Sequence, residues 1–276
     1  MGYNNLMDMH IHSDNSHDAD HSVTLLCEKA VEKGLKAIAV TDHCDCINYK
    51  AGKQDIICRQ SAFEVKKAQL IFKGQIEVIC GIELGSPARD REAVDDVLKN
   101  GFDFVLASVH RIKGKKVSFG HYDFSRETNR PECLIPRYLD EILETVQWNG
   151  FDSLAHLTYP FRYYPSEQLT NFDLDDYKDK IDEILKTLAE NGKALEINTA
   201  CEPFYMGGKE YNFHPDFEIV KRFRELGGEH ITVGSDAHKS SRVGNRIDLA
   251  YDIAKLAGFQ CVTMYKNRQP MHISIY

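Results

Sequence analysis

The feature that most constrains the fold is a unit repeated along the chain: a helix-like stretch ends in glycine, and a β-branched apolar run follows at once. These glycines are Gly34, Gly74, Gly101, Gly150, Gly192, Gly227 and Gly258. Glycine just after a helix adopts the left-handed conformation without steric cost, which turns the chain toward the next strand. The apolar runs are short and nearly continuous, as in a parallel sheet covered on both faces. With an opening strand around Met7–Ile11, the pattern predicts about seven or eight β/α units.

A barrel explains these units better than an open, doubly wound sheet. No G-x-G-x-x-G turn follows the first strand, where a dinucleotide-binding sheet would carry one. The 276 residues are close to the roughly 250 that an α/β barrel occupies. No Pro/Gly/Ser-rich linker divides the chain. We therefore expect an α/β barrel that forms a single domain over residues 1–276.

Composition and charge narrow the functional classes. Lys and Arg number 34 and Asp and Glu 42, which gives a net charge of −8 and weighs against a long nucleic-acid partner. No stretch of 18 apolar residues occurs, and the N-terminus lacks a signal-peptide pattern, so we expect a cytoplasmic protein without a membrane partner. The eight cysteines have no framework spacing and are expected to be reduced thiols. The oligomeric state stays open.

Residues that could bind a metal follow six of the seven predicted barrel strands. In chain order they are His10 and His12, with Asp18 further on, then His43, Glu83, His110, His156, and Asp236 with His238. Because strand residues alternate between faces, His10 and His12 share a face and can bind one ion together. The carboxyl ends of barrel strands meet at one rim, which is where barrel enzymes carry their active sites.

The alternative for any one of these residues is a hydrogen-bonded core histidine. Nine titratable groups buried together without a cation would be very costly, so the set as a whole predicts a metal centre. Five other histidines, His17, His21, His214, His230 and His272, are expected to be exposed or to cap helices. His121, in the loop after His110, is a candidate substrate contact. Asn198, at the end of the sixth strand, either reaches the substrate or ties loops together.

The order of these motifs resembles the polymerase and histidinol phosphatase (PHP) domain family. The matching motifs are H-x-H, Asp six residues later, D-H, G-I-E, S-x-H, A-H and S-D-x-H, and they run from about Met7 to His238. Within the family, the length and the context of the fifth strand are most similar to the monofunctional histidinol-phosphate phosphatases. The resemblance implies a distorted (β/α)7 barrel, similar to a TIM barrel, that hydrolyses L-histidinol phosphate in histidine biosynthesis.

The resemblance also implies a trinuclear site with two to three divalent ions, either Zn²⁺, Mn²⁺ or Fe²⁺. The first ion would take His10, His12, Glu83 and Asp236, the second Glu83, His110 and His156, and the third Asp18, His43 and His238. A shared Glu83 would hold two ions about 3.5–4 Å apart with a bridging water between them. No catalytic group is assigned beyond that water, and the proton donor to the leaving group stays open.

Arg162, six residues after His156, is the candidate substrate-binding residue. A guanidinium there binds two phosphate oxygens at once, which suits a small phosphorylated metabolite. Related phosphatases carry a basic residue in this loop. The alternative is a surface arginine that stacks on Tyr163 or Tyr164.

Three other functions compete with histidinol-phosphate hydrolysis. The first is another PHP phosphoesterase that acts on nucleotides or nucleic-acid ends. The second is an amidohydrolase-like C–N hydrolase, which also begins with H-x-H but bridges its metals with a lysine on strand four. Here strand three supplies Glu83 and strand four supplies His110. The third is a non-catalytic module stabilised by a metal.

Overall fold

The computed structural model describes residues 3–200 and 202–276, in which strands alternate with helices along the chain. The helices are α1 (Val23–Glu32), α2 (Gln54–Ile71), α3 (Arg91–Leu98), α4 (Pro131–Trp148), α5 (Ser166–Leu169), α6 (Lys178–Glu190), α7 (Phe217–Glu225) and α8 (Ile247–Leu256). The first six strands are β1 (Met7–Ile11), β2 (Ala37–Val40), β3 (His43–Asp45), β4 (Glu77–Gly85), β5 (Phe104–Ser108) and β6 (Ser153–Leu154). The others are β7 (Ala194–Asn198), β8 (Phe204–Met206), β9 (Lys209–Tyr211), β10 (Ile231–Gly234), β11 (Cys261–Lys266) and β12 (Gln269–Ser274).

Parallel strands form a nearly closed barrel. Within the described residues, seven strands pair in the order β1-β2-β4-β5-β6-β7-β10. The two ends of this order meet where Ile11 bridges Ala237 in parallel, and the His12 N–H donates to the carbonyl of Ala237 (2.9 Å). Every residue of β1, β2, β5, β7 and β10 is buried, as expected for strands covered on both faces. The predicted (β/α)7 barrel is confirmed.

The unit after Gly258 does not enter the barrel. Its strand β11 pairs antiparallel with β12, with Cys261 opposite Ser274. Asn267 and Arg268, between the two strands, have φ values of 50° and 62°. Two left-handed residues in succession fold a strand back on itself in a two-residue hairpin turn. The repeated units therefore outnumber the barrel strands.

The predicted glycine turn fails in one unit. The glycines of the other six units have positive φ, but at Gly150 the left-handed residue is the preceding Asn149, with φ of 63°. Asparagine tolerates this conformation because its short polar side chain bonds locally. The space at Gly150 is nevertheless tight, since a Cβ on it would lie 2.2 Å from the Trp148 ring and the ring would have to move.

Two short features add to the seven barrel strands. Strand β3 was not predicted; it pairs in parallel with the end of β4, which sets His43 opposite Glu83. The antiparallel strands β8 and β9 form a hairpin.

The described cysteines are all free, and Cys201 lies outside the described residues. In the part of the chain that the structure describes, no helix is both long and apolar enough to cross a membrane.

Candidate metal centre

The nine predicted ligands meet at the carboxyl end of the barrel. They lie in β1, β3 and β4 or in the few residues that follow β1, β5, β6 and β10. A cavity of about 490 Å³ opens beside them. Its lining includes Asp18, His43, His110, Asp236 and His238.

The first group of side chains is buried at the end of β1. His10 Nε2 and His12 Nε2 lie 3.1 Å apart. Glu83 Oε2 lies 3.5 Å from His10 Nε2 and 3.7 Å from His12 Nε2. Asp236 Oδ1 is 3.3 Å from His12 Nε2 and 3.7 Å from His10 Nε2. One oxygen of Glu83 and one of Asp236 thus each lie within 3.7 Å of both imidazole nitrogens.

The second group uses the other oxygen of Glu83. Glu83 Oε1 lies 3.1 Å from His110 Nε2 and 2.9 Å from His156 Nε2. The two imidazole nitrogens are 3.2 Å apart. Because its two oxygens face different groups, Glu83 has the geometry of a carboxylate that bridges two ions.

The third group is closest to solvent. Asp18, whose side chain is 44% exposed, places Oδ1 3.6 Å from His43 Nε2 and Oδ2 3.4 Å from His238 Nε2. The two imidazole nitrogens lie 3.4 Å apart. His43 also connects this group to the others, because its Nδ1 lies 2.8 Å from Glu83 Oε2.

The donor set fits divalent metal ions. Glu83 is 1% exposed, and its Oε2 is buried without a hydrogen-bond partner despite the short distance to His43 Nδ1. A buried carboxylate oxygen that makes no hydrogen bond is costly unless a cation neutralises it. Six imidazoles and three carboxylates are also the ligand types that Zn²⁺, Mn²⁺ and Fe²⁺ accept.

Charge interactions keep the two buried carboxylates of the first group, Glu83 and Asp236, ionised. Burial alone would raise the pKa of Glu83, but the imidazoles of His110, His43 and His10 hold it well below its usual range. The pKa of Asp236 is likewise well below its usual range: burial would raise it, but His10, His12 and Arg162 lower it.

The two histidines of the H-x-H pair differ. Burial, with His43 and His238 nearby, holds the pKa of His12 well below its usual value. Burial would also lower the pKa of His10, but Glu196, Asp236 and Glu83 raise it well above that value. Glu196, whose Oε1 lies 2.6 Å from His10 Nδ1, is the largest of the influences that raise the pKa of His10.

Two buried aspartates support the ligands without being among them. Asp42 accepts hydrogen bonds from the hydroxyls of Ser13, Ser16 and Ser61 at 2.6–2.7 Å. The Ser16 oxygen in turn lies 3.2 Å from His12 Nδ1, so this network orients His12. Sequence reasoning missed Asp42, although it adjoins His43 in the D-H motif.

Asp8 supports the loop that carries Asp236 in a similar way. It accepts from the Ser235 N–H (2.8 Å), the Ser235 hydroxyl (2.5 Å) and the Gly244 N–H (2.7 Å), which fixes the chain on either side of the loop after β10. The only signal for this role in the sequence is that Asp8 stands two residues before His10 in the opening strand.

Two of the predicted ligands have strained backbones. His156 has φ of 25° and Asp236 has φ of 52°, in the left-handed region that costs a non-glycine residue about 1–2 kcal/mol. The Asp236 N–H donates to the His10 carbonyl (2.7 Å), which holds the strained residue against β1. Such strain is typical of residues at functional sites.

Arg162 lies in the cavity wall, next to the first group. Its Nη1 is 3.5 Å from Asp236 Oδ2, and its guanidinium stacks on the ring of Tyr159 at 4.8 Å from the centroid. The ring it stacks on is therefore not that of Tyr163 or Tyr164.

Asn198 and His121 lie in different surroundings. Asn198 is fully buried, and its amide donates to Glu196 Oε2 (3.2 Å) and Asp236 Oδ2 (3.3 Å), so it ties strand ends together. His121 is exposed at the cavity, with Nδ1 3.1 Å from the Ser118 hydroxyl.

One of the five other histidines contradicts its expectation. His214 is fully buried rather than exposed or capping: its Nδ1 lies 2.9 Å from the Thr158 hydroxyl, and its ring stacks on Phe204. The reason is that the segment after the β8–β9 hairpin returns to pair with the end of β7, at Asn198. This pairing is not local, because Asn198 lies 16 positions before His214 and the β8–β9 hairpin stands between them.

Known proteins are similar to this chain over most of its length. A protein-family model described as "PHP domain" matches residues 8–200. The probable histidinol-phosphatase of Thermotoga maritima is 30% identical over 88% of this chain and 88% of that protein. The histidinol-phosphatase of Lactococcus lactis is 32% identical over 92% of this chain and 91% of that protein.

The fold is also similar to that of a solved structure. The crystal structure of the L. lactis histidinol phosphate phosphatase, complexed with zinc, L-histidinol and phosphate, has a TM-score of 0.80 and 28% sequence identity. The similarity covers 96% of this chain and 98% of that chain. With the family model matching well over half of the residues, the chain belongs to the PHP domain family.

Proposed function

We propose that this protein is a metal-dependent phosphomonoesterase that hydrolyses L-histidinol phosphate to L-histidinol and phosphate, in histidine biosynthesis. The observation that carries the proposal is Glu83, whose two oxygens face two groups of imidazoles beside a cavity. A carboxylate that joins two divalent ions is typical of two-metal hydrolases. The substrate follows from the relatives named for this activity.

We assign three divalent ions to the three groups of ligands. When bound, such ions neutralise phosphate oxygens and lower the pKa of water to about 7. Three ions carry +6 and the carboxylates of Asp18, Glu83 and Asp236 carry −3, so the centre has a net charge of +3 that attracts a phosphomonoester dianion. Zinc is the first metal to test, because the L. lactis crystal contains it, and manganese and iron are the alternatives.

Arg162 is proposed to bind the phosphate. Its side chain is 18% exposed, and it faces the cavity from beside Asp236. Stacking on Tyr159 restricts the guanidinium to one plane, so fewer rotamers are lost when it binds two phosphate oxygens.

The size of the cavity supports a small substrate. Its volume of about 490 Å³ falls in the range of roughly 300–1,000 Å³ that is typical of small-molecule sites. Arg111 and Lys116 also line it, while the chain as a whole carries −8. Local cations in an acidic protein favour a short phosphate ester over a polynucleotide.

A phosphate-release screen tests the proposal. Zinc-loaded protein is offered L-histidinol phosphate, AMP and a 5′-phosphorylated oligonucleotide, with the Glu83→Ala variant as the control for contaminating phosphatase. We expect the highest kcat/KM for L-histidinol phosphate and no release by the variant. Preference for AMP or for the oligonucleotide would favour the nucleotide-directed alternative, and release from none of the three would refute the proposed activity.

A further inference from the structure

Glu196 is a buried carboxylate that contacts the metal-binding groups without belonging to them. It lies in β7 and is 1% exposed. Its Oε1 lies 2.6 Å from His10 Nδ1. Its Oε2 accepts from the His156 N–H at 2.8 Å and from the Asn198 side-chain amide at 3.2 Å. Both oxygens of Glu196 are thus occupied by protein donors, which leaves Glu196 outside the ligand set.

The contact with His10 determines which imidazole nitrogen carries a proton. Carboxylate oxygens accept hydrogen bonds, and in this contact His10 Nδ1 is the donor to Glu196 Oε1. The Nε2 of His10 then has its lone pair directed at the metal-binding groups. A carboxylate on the far side of a metal-binding imidazole orients the ring and raises its basicity.

In His12, the other histidine of the pair, Nδ1 is also the nitrogen that donates a hydrogen bond. The Ser16 hydroxyl donates to Asp42 Oδ1 at 2.7 Å, so the Ser16 oxygen accepts from His12 Nδ1. The Nε2 atoms of His10 and His12, 3.1 Å apart, are therefore both left without a proton when the rings are neutral. Two lone pairs repel at this distance unless a cation lies between them.

Glu196 also connects ligands of different groups. It holds the strained backbone of His156, whose φ is 25°. Through the Asn198 amide it is linked to Asp236 Oδ2, which lies 3.3 Å from that amide. One carboxylate therefore constrains three of the proposed ligands.

Gly234 provides the space in which His10 and Glu196 meet. A Cβ on Gly234 would lie 2.3 Å from His10 Cβ and 2.6 Å from Glu196 Oε1. Any side chain there would separate His10 from Glu196, so the glycine is required by close approach rather than by its backbone angle.

We propose that Glu196 is a positioning residue that fixes the Nδ1–H form of His10 and thereby sets the affinity of the centre for its metal ions. The inference rests on the proposed metal centre and is independent of the substrate. Loss of such a supporting residue typically weakens metal affinity about 10- to 100-fold.

The test is zinc binding by metal-free, full-length protein, measured in competition with a chromophoric chelator. We expect Glu196→Ala to weaken the tightest zinc binding by about 10- to 100-fold. Glu196→Gln should lie between, because its amide oxygen still accepts from His10 while its amide nitrogen cannot accept from the His156 N–H. In ¹⁵N spectra of the metal-free protein, the His10 nitrogens should lose the Nδ1–H signature in the alanine variant.

Asp152→Asn is the matched control. Asp152 is 4% exposed and accepts from the Val105 N–H (2.9 Å) and from Arg268, but it contacts none of the proposed ligands. This variant should lower the melting temperature and leave zinc affinity unchanged. Wild-type zinc affinity in both Glu196 variants, or equal losses in the Asp152 variant, would overturn the inference. Wild-type protein that binds no zinc would refute the metal centre itself, whereas a different substrate would leave the inference standing.

Discussion

At the scale of single residues, Glu83 joins the two innermost groups of ligands, because each of its oxygens faces a different pair of imidazoles. It is buried and ionised, since the surrounding imidazoles hold its pKa well below the usual range. Its removal therefore takes one donor from each group and leaves the imidazoles without the negative charge between them.

Glu83→Ala is expected to slow phosphate release by at least about a thousandfold, equivalent to about 4 kcal/mol of lost transition-state stabilisation. Metal analysis should find fewer ions per chain than in the wild type, while the circular dichroism spectrum stays unchanged. A variant with the wild-type rate and metal content would show that Glu83 does not bridge ions.

Arg162→Ala should lower kcat/KM for the phosphate ester by about 10- to 150-fold, which corresponds to the loss of a charged hydrogen bond of about 1.5–3 kcal/mol. Arg162→Lys should recover part of the loss, because lysine keeps the charge without the paired donors. Lys116→Ala removes an exposed cation from the same cavity and serves as the control. Equal effects of the Arg162 and Lys116 changes would mean that only overall charge matters.

At the scale of elements, the strand ends were predictable because their signals are local. The apolar run of β5 ends just before His110, and that of β6 just before His156, so the positions of both histidines at the barrel rim follow from the strand assignment. The glycine turns were predictable for the same reason, apart from the one where Asn149 takes the left-handed conformation.

Elements that depend on distant partners were not predictable. Strand β3 forms because the end of β4 offers it a pairing edge, and His214 is buried because its segment returns to Asn198. The sequence does not distinguish Glu196 from an ordinary polar residue in a strand, since its partner His10 lies 186 positions away in the chain. The residues that meet at the mouth of the barrel could therefore be predicted from sequence, but the residues that position them could not.

The β11–β12 hairpin lies outside the barrel, and Arg268 is one of the residues that attach it to the rest of the molecule. The Arg268 guanidinium donates to buried Asp152 and to the Gly150 carbonyl (3.0 Å). Arg268→Ala is expected to lower the free energy of unfolding by about 1–3 kcal/mol in urea denaturation, because a buried carboxylate loses its partner.

Zinc affinity should not change in the Arg268→Ala variant, since neither Arg268 nor Asp152 contacts the residues proposed to bind metal. Lys266→Ala is the control in the same hairpin: its ion pair with Glu77 is exposed and should contribute less than about 1 kcal/mol. A larger loss from Lys266→Ala than from Arg268→Ala would contradict this account of how the hairpin is attached.

At the scale of the whole molecule, the proposed metal centre lies where the barrel closes. Its ligands extend along the chain from His10 to His238, and β1 and β10 meet beside them at Ile11 and Ala237. Because parallel strands direct their carboxyl ends to one rim, side chains far apart in sequence share one site. The pairing that closes the barrel therefore also brings His10 and His12 next to Asp236 and His238.

Anomalous scattering at the zinc edge, from crystals of the zinc-loaded full chain, tests this claim most directly. We expect peaks within each of the three groups of ligands. Two of them should lie about 3.5–4 Å apart, with one oxygen of Glu83 directed at each. Peaks remote from Glu83, or imidazoles turned away from the mouth of the barrel, would contradict the proposed metal centre.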